Sequence, residues 1–353
     1  MEKPLPRQWT FLHEKMETID WTKLDFAYLK TNYRFVSRYR NGAWDEGFMT
    51  CDDTVVLSES ACVLQYSQSV FEGMKAYRTD GGHIVIFRPD LNADRMVSSC
   101  KRMCMPVFPK ERFLEAVKEV VLANKDYVPP YGTGASMYLR PFMFGSSPTL
   151  GVKPSSEFEF RIFASPVGPY FKGGFAANPY VIIRDYDRSA PLGTGKYKVG
   201  GNYAASLFAN SLAHEKGYAC EFYLDAKEKK YMDECGAANF FGIKNNTYVT
   251  PKSTSILPSI TNKSLMQVAE DLGMKVERRP IPEEELETFE EAGACGTAAV
   301  ISPISYIDDL DTGKRYSFGD KPGPMSKKLF DTLRGIQYGE IEDKHGWTTV
   351  VIE

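Results

Sequence analysis

Three prolines and three glycines fall within the fourteen residues Pro166 to Pro179, between two strand-like segments, Phe158–Ser165 and Tyr180–Asp185. Proline lacks a backbone donor and glycine weakens regular structure, so neither a helix nor a strand is expected to run unbroken through such a stretch. It reads as an interdomain connector and also as a long loop over a site; the two readings are compatible. The 353 residues suit roughly two domains of ~150 residues each. The expected division is an N-terminal unit over 1–169, a connector over 170–185 and a C-terminal unit over 186–353 that carries Lys198.

Strand and helix signals mix on both sides of the break. His83–Phe87 reads as a strand, while Phe113, Val117, Val120 and Val121 recur at helical spacing in Arg112–Asn124. Further on, Ala204–Lys216 reads as a helix stopped by Gly217, Cys220–Asp225 as a strand, and Ser259–Leu272 as a helix ended by Gly273. Pro282 should begin an acidic helix, and Ser326–Leu333 should form another. The fold class is therefore α/β or mixed α+β, without an internal repeat or a low-complexity tract.

Composition narrows the function. A net charge of −3, with 43% hydrophobic and 25% charged residues, gives no basic excess for nucleic acid. No apolar run approaches ~18 residues, so no membrane span is expected. The start, Met-Glu-Lys-Pro-Leu-Pro-Arg, lacks the apolar core of a secretory signal. Seven scattered cysteines form no Cys-x-x-Cys pair and the four histidines stand apart, which argues against a metal site and for reduced thiols in the cytoplasm.

Chemistry concentrates in the run from Gly193 to Tyr203, where Lys198 sits among four glycines, Asn202, Tyr197 and Tyr203. Glycine lets a backbone pass close to a bound group. A lysine in that frame is a candidate amine nucleophile toward a carbonyl cofactor, though a solvated turn is the plain alternative. Neither the P-loop spacing nor the dinucleotide fingerprint is met. Four more segments carry candidates, each with an ordinary reading beside it. Glu234 precedes Cys-Gly-Ala-Ala-Asn239 and could enter a pocket or flank a hairpin. Ile260 and Thr261 begin a helix, which can seat a phosphate or simply be capped by Ser259 or Thr261. Gly296-Thr297-Ala298-Ala299 permits close approach of a ligand and also makes a tight turn. Arg95 follows an expected helix start, where it could grip a phosphate or lie on the surface beside Asp94. Tyr138 and Arg140 fall on one strand face, suited to a carboxylate or to cross-strand pairing. Together these are the needs of pyridoxal phosphate chemistry on an amino acid.

The chain resembles the branched-chain amino acid aminotransferases, of the fold-type IV pyridoxal-phosphate family. The resemblance rests on Ser69-Val-Phe71-Glu-Gly-Met-Lys-Ala-Tyr77, Phe87-Arg-Pro-x-Leu-Asn-x-Asp-Arg95-Met, Tyr138-Leu-Arg140-Pro and Leu150-Gly-Val152. It continues through Lys198-Val-Gly-Gly-Asn-Tyr203, Glu234-x-Gly-x-x-Asn239, Leu257-Pro-x-Ile-Thr261, Gly296-Thr-Ala-Ala299 and Gly335-Ile-Gln-Tyr-Gly339. It implies a two-domain architecture with the active site between the domains, a homodimer, and pyridoxal 5′-phosphate as cofactor. Lys198, rather than nearby Lys196, would be the Schiff-base lysine and the acid/base. Glu234 would pair with the pyridine nitrogen and Tyr203 with the phenolic oxygen. Arg95, the amides of Ile260 and Thr261, and Thr297 would hold the phosphate. Tyr138, Arg140 and the amides of Thr297 and Ala298 would surround the substrate carboxylate. Phe71, Tyr66, Leu150 and Val152 would line the apolar side-chain pocket, some from a second subunit.

The implied reaction is ping-pong transamination of L-leucine, L-isoleucine and L-valine with 2-oxoglutarate, giving branched 2-oxo acids and L-glutamate. Two departures stand out: Ala299 and Ser302 replace a Cys-x-x-Cys redox pair of mammalian relatives, and Ala237 replaces a threonine of some others. The alternatives are another fold-type IV enzyme (a D-amino acid or (R)-amine transaminase, or an aminodeoxychorismate lyase) and a non-catalytic binding protein on the same fold.

Overall fold

The computed structural model describes residues 19–168 and 175–353. The N-terminal stretch, residue 169 and residues 170–174 of the expected connector lie outside the described residues. A first sheet is built on β1 (Arg34–Arg40), β2 (Ala43–Trp44), β3 (Phe48–Thr50), β4 (Ser69–Phe71), β5 (Met74–Arg78), β6 (Ile84–Phe87), β7 (Ser136–Gly145) and β8 (Phe158–Val167). Its path runs from the C-terminal strand Thr348–Ile352 through β6, β5, β7, β8 and β1 to β2, with β3 on β1 and β4 on β7. The pleat sorts its side chains between two cores. Met74, Ala76, Ile84 and Ile86 join one core with Phe113, Val117 and Val121, whereas Tyr77, Val85 and Phe87 join another. Of the first three helices, α1 (Cys62–Tyr66) is short; α2 (Pro89–Arg102) and α3 (Lys110–Ala123) cover the first core.

The second sheet holds β9 (Asn178–Ile183), β10 (Cys220–Leu224), β11 (Met232–Cys235), β12 (Ala238–Lys244), β13 (Thr247–Pro251), β14 (Lys275–Arg279), β15 (Glu291–Gly296), β16 (Val300–Asp309) and β17 (Lys314–Ser317). Because β11 pairs with both β10 and β12, and β16 with β9, the strands β9, β10, β11, β12, β15 and β16 close into a ring. Closure removes the exposed edges an open sheet would present. β9 and β16 pair in parallel, as do β9–β10 and β13–β14, the last two being the pairs whose strands follow one another in the chain and so need crossovers. Helices α4 (Gly200–Glu215) and α5 (Ile260–Asp271) supply them. Helix α6 (Pro324–Tyr338) then packs with α5 in a core shared by both sheets, where Leu265, Val268, Leu329 and Leu333 meet Phe87 of the first sheet and Phe241 of the second.

Several expected boundaries shift for physical reasons. The strands β8 and β9 extend into the Pro/Gly stretch, so Pro166 and Pro179 lie inside strands. Pro166 pairs with Met137 alone among the described strands, and Pro179 sits at a register irregularity against β16. Both are places where a missing N–H is tolerated. After Pro282 comes a 3₁₀ helix, Glu283–Thr288, rather than an α-helix. Only Leu286 is buried there, so no apolar stripe stabilises a longer helix. Helix α4 begins at Gly200, four residues before the expected Ala204.

Leu333 is fully buried in the shared core. Leu333→Ala is expected to cost about 2–5 kcal/mol, read as a lower urea midpoint. A change below ~1 kcal/mol would mean that α6 is not packed against both sheets.

Candidate active site

Lys198 lies two residues before α4, and its backbone is held on both sides. Its N–H donates to Ser99 Oγ of α2 at 3.0 Å, and its carbonyl accepts the Phe71 N–H of β4 at 3.1 Å. Asn202 staples the preceding loop by donating to the carbonyls of Thr194 and Tyr197 at 2.8 and 3.0 Å. Gly195 of the run is sterically required, and Gly200 is tight against a side chain that can turn. A Cβ at Gly195 would lie 2.1 Å from the Ser255 carbonyl, and one at Gly200 would lie 2.7 Å from Ser69 Oγ. The side chain of Lys198 is partly buried while Lys196 is exposed. Its Nζ donates to Tyr203 Oη at 2.9 Å and lies 4.6 Å from the Phe71 ring centroid and 4.9 Å from that of Tyr203. The amine is therefore aimed, not solvated as in an ordinary turn.

Glu234 stands on β11 in register with Asn239 of β12, across a turn in which Gly236 has φ +49°. The segment is the hairpin connection, and the carboxylate it carries is buried rather than solvated. The carboxylate is 2% exposed, pairs with Arg188 at 2.5 Å, and accepts from Asn239 Nδ2 and from the Leu257 N–H. Burial is the strongest influence on it and raises its pKa to about 7, against the opposing pull of Arg188. Its neighbour Asp233 raises it too, while the positive charge of Lys198 lowers it, which places Lys198 and Glu234 within one electrostatic site. Asn239 also donates to the Leu257 carbonyl and accepts from Asn262 Nδ2 on α5, tying Glu234 to the start of that helix.

At that start, Ser259 caps α5 by accepting the Asn262 N–H. The first-turn amides of Ile260 and Thr261 have no intrahelical acceptor and lie at the positive end of the helix. Both residues line a cavity with Gly73, Asn92 and Thr297. Close by, Arg95 donates through Nε and Nη2 to Glu72 at 2.8 and 2.7 Å and through Nη1 to the Pro258 carbonyl at 3.0 Å. Arg95 is buried, not a surface partner of Asp94, which instead meets Lys110. Thr297, Ala298 and Ala299 form the turn between β15 and β16. Val300, just after it, holds φ +64°, a left-handed conformation rare for a β-branched residue and a mark of local strain.

On β7, Arg140 Nη2 donates to Tyr138 Oη at 3.2 Å, and its guanidinium lies 5.0 Å from the Phe71 ring. Its buried Nε has no partner among the described residues. No ion pair is made by this cation among the described residues. Gly73 packs against the same tyrosine; a Cβ there would fall 1.9 Å from Tyr138 Oη. Opposite Tyr138 in register is Lys75, which the sequence reading passed over. Its buried Nζ donates to the Ala298 carbonyl at 2.8 Å, and burial with the like charge of Arg334 lowers its pKa to about 7.

Tyr66, Leu150 and Val152 stand apart from this cluster. Tyr66 donates to the Leu150 carbonyl, and Leu150 and Val152 are 91% and 87% exposed. The sequence reading also missed Arg188 and Glu72. Glu72 and Lys75 lay inside a quoted motif, whereas Arg188 sits in a polar loop with no distinguishing pattern.

Comparison with known proteins supplies the remaining observations. The family "Amino-transferase class IV" matches residues 69–307. The branched-chain-amino-acid aminotransferase of Haemophilus influenzae is 49% identical, covering 95% of this chain and 100% of that one. That of Helicobacter pylori is also 49% identical, over 94% and 98%. Among solved structures, the branched-chain amino acid aminotransferase of Escherichia coli superposes with a TM-score of 0.77 at 29% identity, covering 91% of this chain and 100% of that one. The T.th. branched-chain amino acid aminotransferase, complexed with N-(5′-phosphopyridoxyl)-L-glutamate, gives 0.76 at 28% identity, over 92% and 99%.

The raised carboxyl of Glu234 yields a pH test. Its ordinary value is 4.5 and its value in the fold about 7, so folding favours the protonated form between them. The stability it contributes is complete below the lower value and is lost as pH rises through the upper one. Thermal midpoints of the coenzyme-free protein should therefore fall across this window relative to those of Glu234→Gln. Parallel curves for the two proteins would contradict the assignment.

Proposed function

The chain belongs to the amino-transferase class IV family and, within it, to the branched-chain-amino-acid aminotransferases; we propose that it exchanges the amino group of L-leucine, L-isoleucine and L-valine with 2-oxoglutarate on pyridoxal 5′-phosphate. The observation that carries this reading is the aimed amine of Lys198, sharing one site with Glu234 and with an Arg140 that has no carboxylate partner among the described residues.

The donor set fits the coenzyme. The free amides of Ile260 and Thr261, with Thr297 beside them and Arg95 near, would hold the phosphate. Lys198 would hold the aldehyde end, Tyr203 the phenolic oxygen, and Glu234 the ring nitrogen. When bound, pyridoxal 5′-phosphate carries the amino group and withdraws electrons from the substrate α-carbon. The chain supplies the rest. Arg188 favours the charged form of Glu234 against the effect of burial, so that the carboxylate can keep a ring nitrogen protonated. Lys198 Nζ, once free, would take the proton from the substrate α-carbon as base and, as acid, give it up on the coenzyme's side of the transferred nitrogen, while Tyr203 Oη fixes its direction. Arg140, Tyr138 and the amides of Thr297 and Ala298 would orient the substrate carboxylate. Phe71 offers the branched side chain an apolar wall and excludes water from the amine.

The exposed apolar side chains of Leu150 and Val152, pinned through Tyr66, suit a site completed by a second copy of the chain, so a homodimer belongs to this proposal. So do the two-domain division at 170–185, supported by a separate core on each sheet, and a cytoplasmic setting, which suits seven free thiols.

A panel of amino acids mixed with the yellow protein tests the reading. L-leucine, L-isoleucine and L-valine should each convert the coenzyme absorbance rapidly. Conversion by D-alanine but not by L-leucine would assign the chain to another branch of the fold. Lys198→Ala should lose about 10²–10⁴-fold or more of the rate without unfolding, and retained turnover would remove the lysine from its role.

A further inference from the structure

Behind the Thr297–Ala299 turn lies a second cavity, next to the one that the α5 amides line. Lys75, Tyr77 and Gln337 are among the residues that border both; Arg334, Ser136 and Tyr338 are among the other walls of the second, which has an apolar side at Phe330. Two cations face this space, and no aspartate or glutamate among the described residues lines it. Lys75 is 7% exposed and has no ion pair among the described residues; one of its three N–H donors goes to the Ala298 carbonyl. Arg334 is partly buried against the rings of Phe330 and Tyr338, at 5.5 and 5.0 Å, and likewise has no carboxylate partner among the described residues. Gln337 is 4% exposed, and its Oε1 has no hydrogen-bond partner among the described residues. Two uncompensated cations facing such a space are costly unless an anion completes them, and the orphaned Oε1, itself an acceptor, joins them only once its amide is turned. An amide turned about its last bond presents two N–H donors to the same space.

We propose that this cavity is a second anion site, taking a small oxyanion between Lys75, Arg334 and Gln337. Its place matters because Lys75 also holds the carbonyl of Ala298, so an occupant would be linked through one side chain to the turn facing the substrate. A bound anion would also offset the like charge of Arg334 that helps to lower Lys75. Which amino acid the enzyme prefers has no bearing on this site.

The test uses holoenzyme, so that the coenzyme phosphate fills its own seat, and sodium sulfate as the probe against sodium chloride at equal ionic strength. Sulfate should raise the thermal midpoint saturably. Arg334→Gln should weaken the sulfate dependence by about tenfold or more, and Arg334→Lys should keep most of it. A rise that never saturates and is the same in wild type and Arg334→Gln would be a general salt effect and would overturn the site. Should Arg334→Gln fail to fold, calorimetric titration of sulfate into the wild-type holoenzyme decides, and absence of saturable heat rejects the proposal. Sodium acetate run in parallel separates planar carboxylates from tetrahedral oxyanions as the preferred class. Coenzyme absorbance, recorded in the same samples, reports independently on the assignment of Lys198.

Discussion

The buried clamp of Arg95 is the contact on which the site depends. One guanidinium on α2 grips Glu72, in the turn between β4 and β5, and the Pro258 carbonyl, just before α5. It thus fixes the start of α5, an element of the second sheet, against the first sheet. The same helix α2 carries Ser99, which holds the backbone of Lys198. A misplacement of the clamp would therefore move the start of α5 and the amine together. Buried pairs of this kind contribute little net stability, but losing one partner typically costs about 3–5 kcal/mol. Alignment across the junction is the better account of its place.

Charge is distributed with a pattern. Arg95 and Arg188 each have a buried carboxylate, Glu72 and Glu234. Lys198, Arg140 and Lys75 have none among the described residues, and their side chains instead meet a phenol, two aromatic rings and a carbonyl. The paired cations hold the frame. The unpaired ones face space where an anion or a carbonyl ligand is expected, and desolvation makes their interactions there stronger than in water.

Some of this was legible in the sequence because the geometry demands particular residues. Gly195 is there because a side chain at 195 would strike the Ser255 carbonyl, and Asn202 because two carbonyls of the loop need its amide. The period-two alternation of β7 correctly put Tyr138 and Arg140 on one face. Other features left no local trace. Arg188 matters only because the ring of strands brings Glu234 to it from far along the sequence. Lys75 reads as a routine strand residue until the fold buries it beneath Ala298. The acidic segment after Pro282 carries helix-forming residues but lacks the apolar stripe that tertiary packing would reward, and it stops at a 3₁₀ helix.

Covalent capture of the coenzyme tests the central assignment most directly. Reduction of the yellow protein with borohydride, digestion and mass spectrometry should place the pyridoxyl group on the ε-amine of Lys198. Label on Lys196 or Lys75 instead, or on no lysine, would contradict the site described.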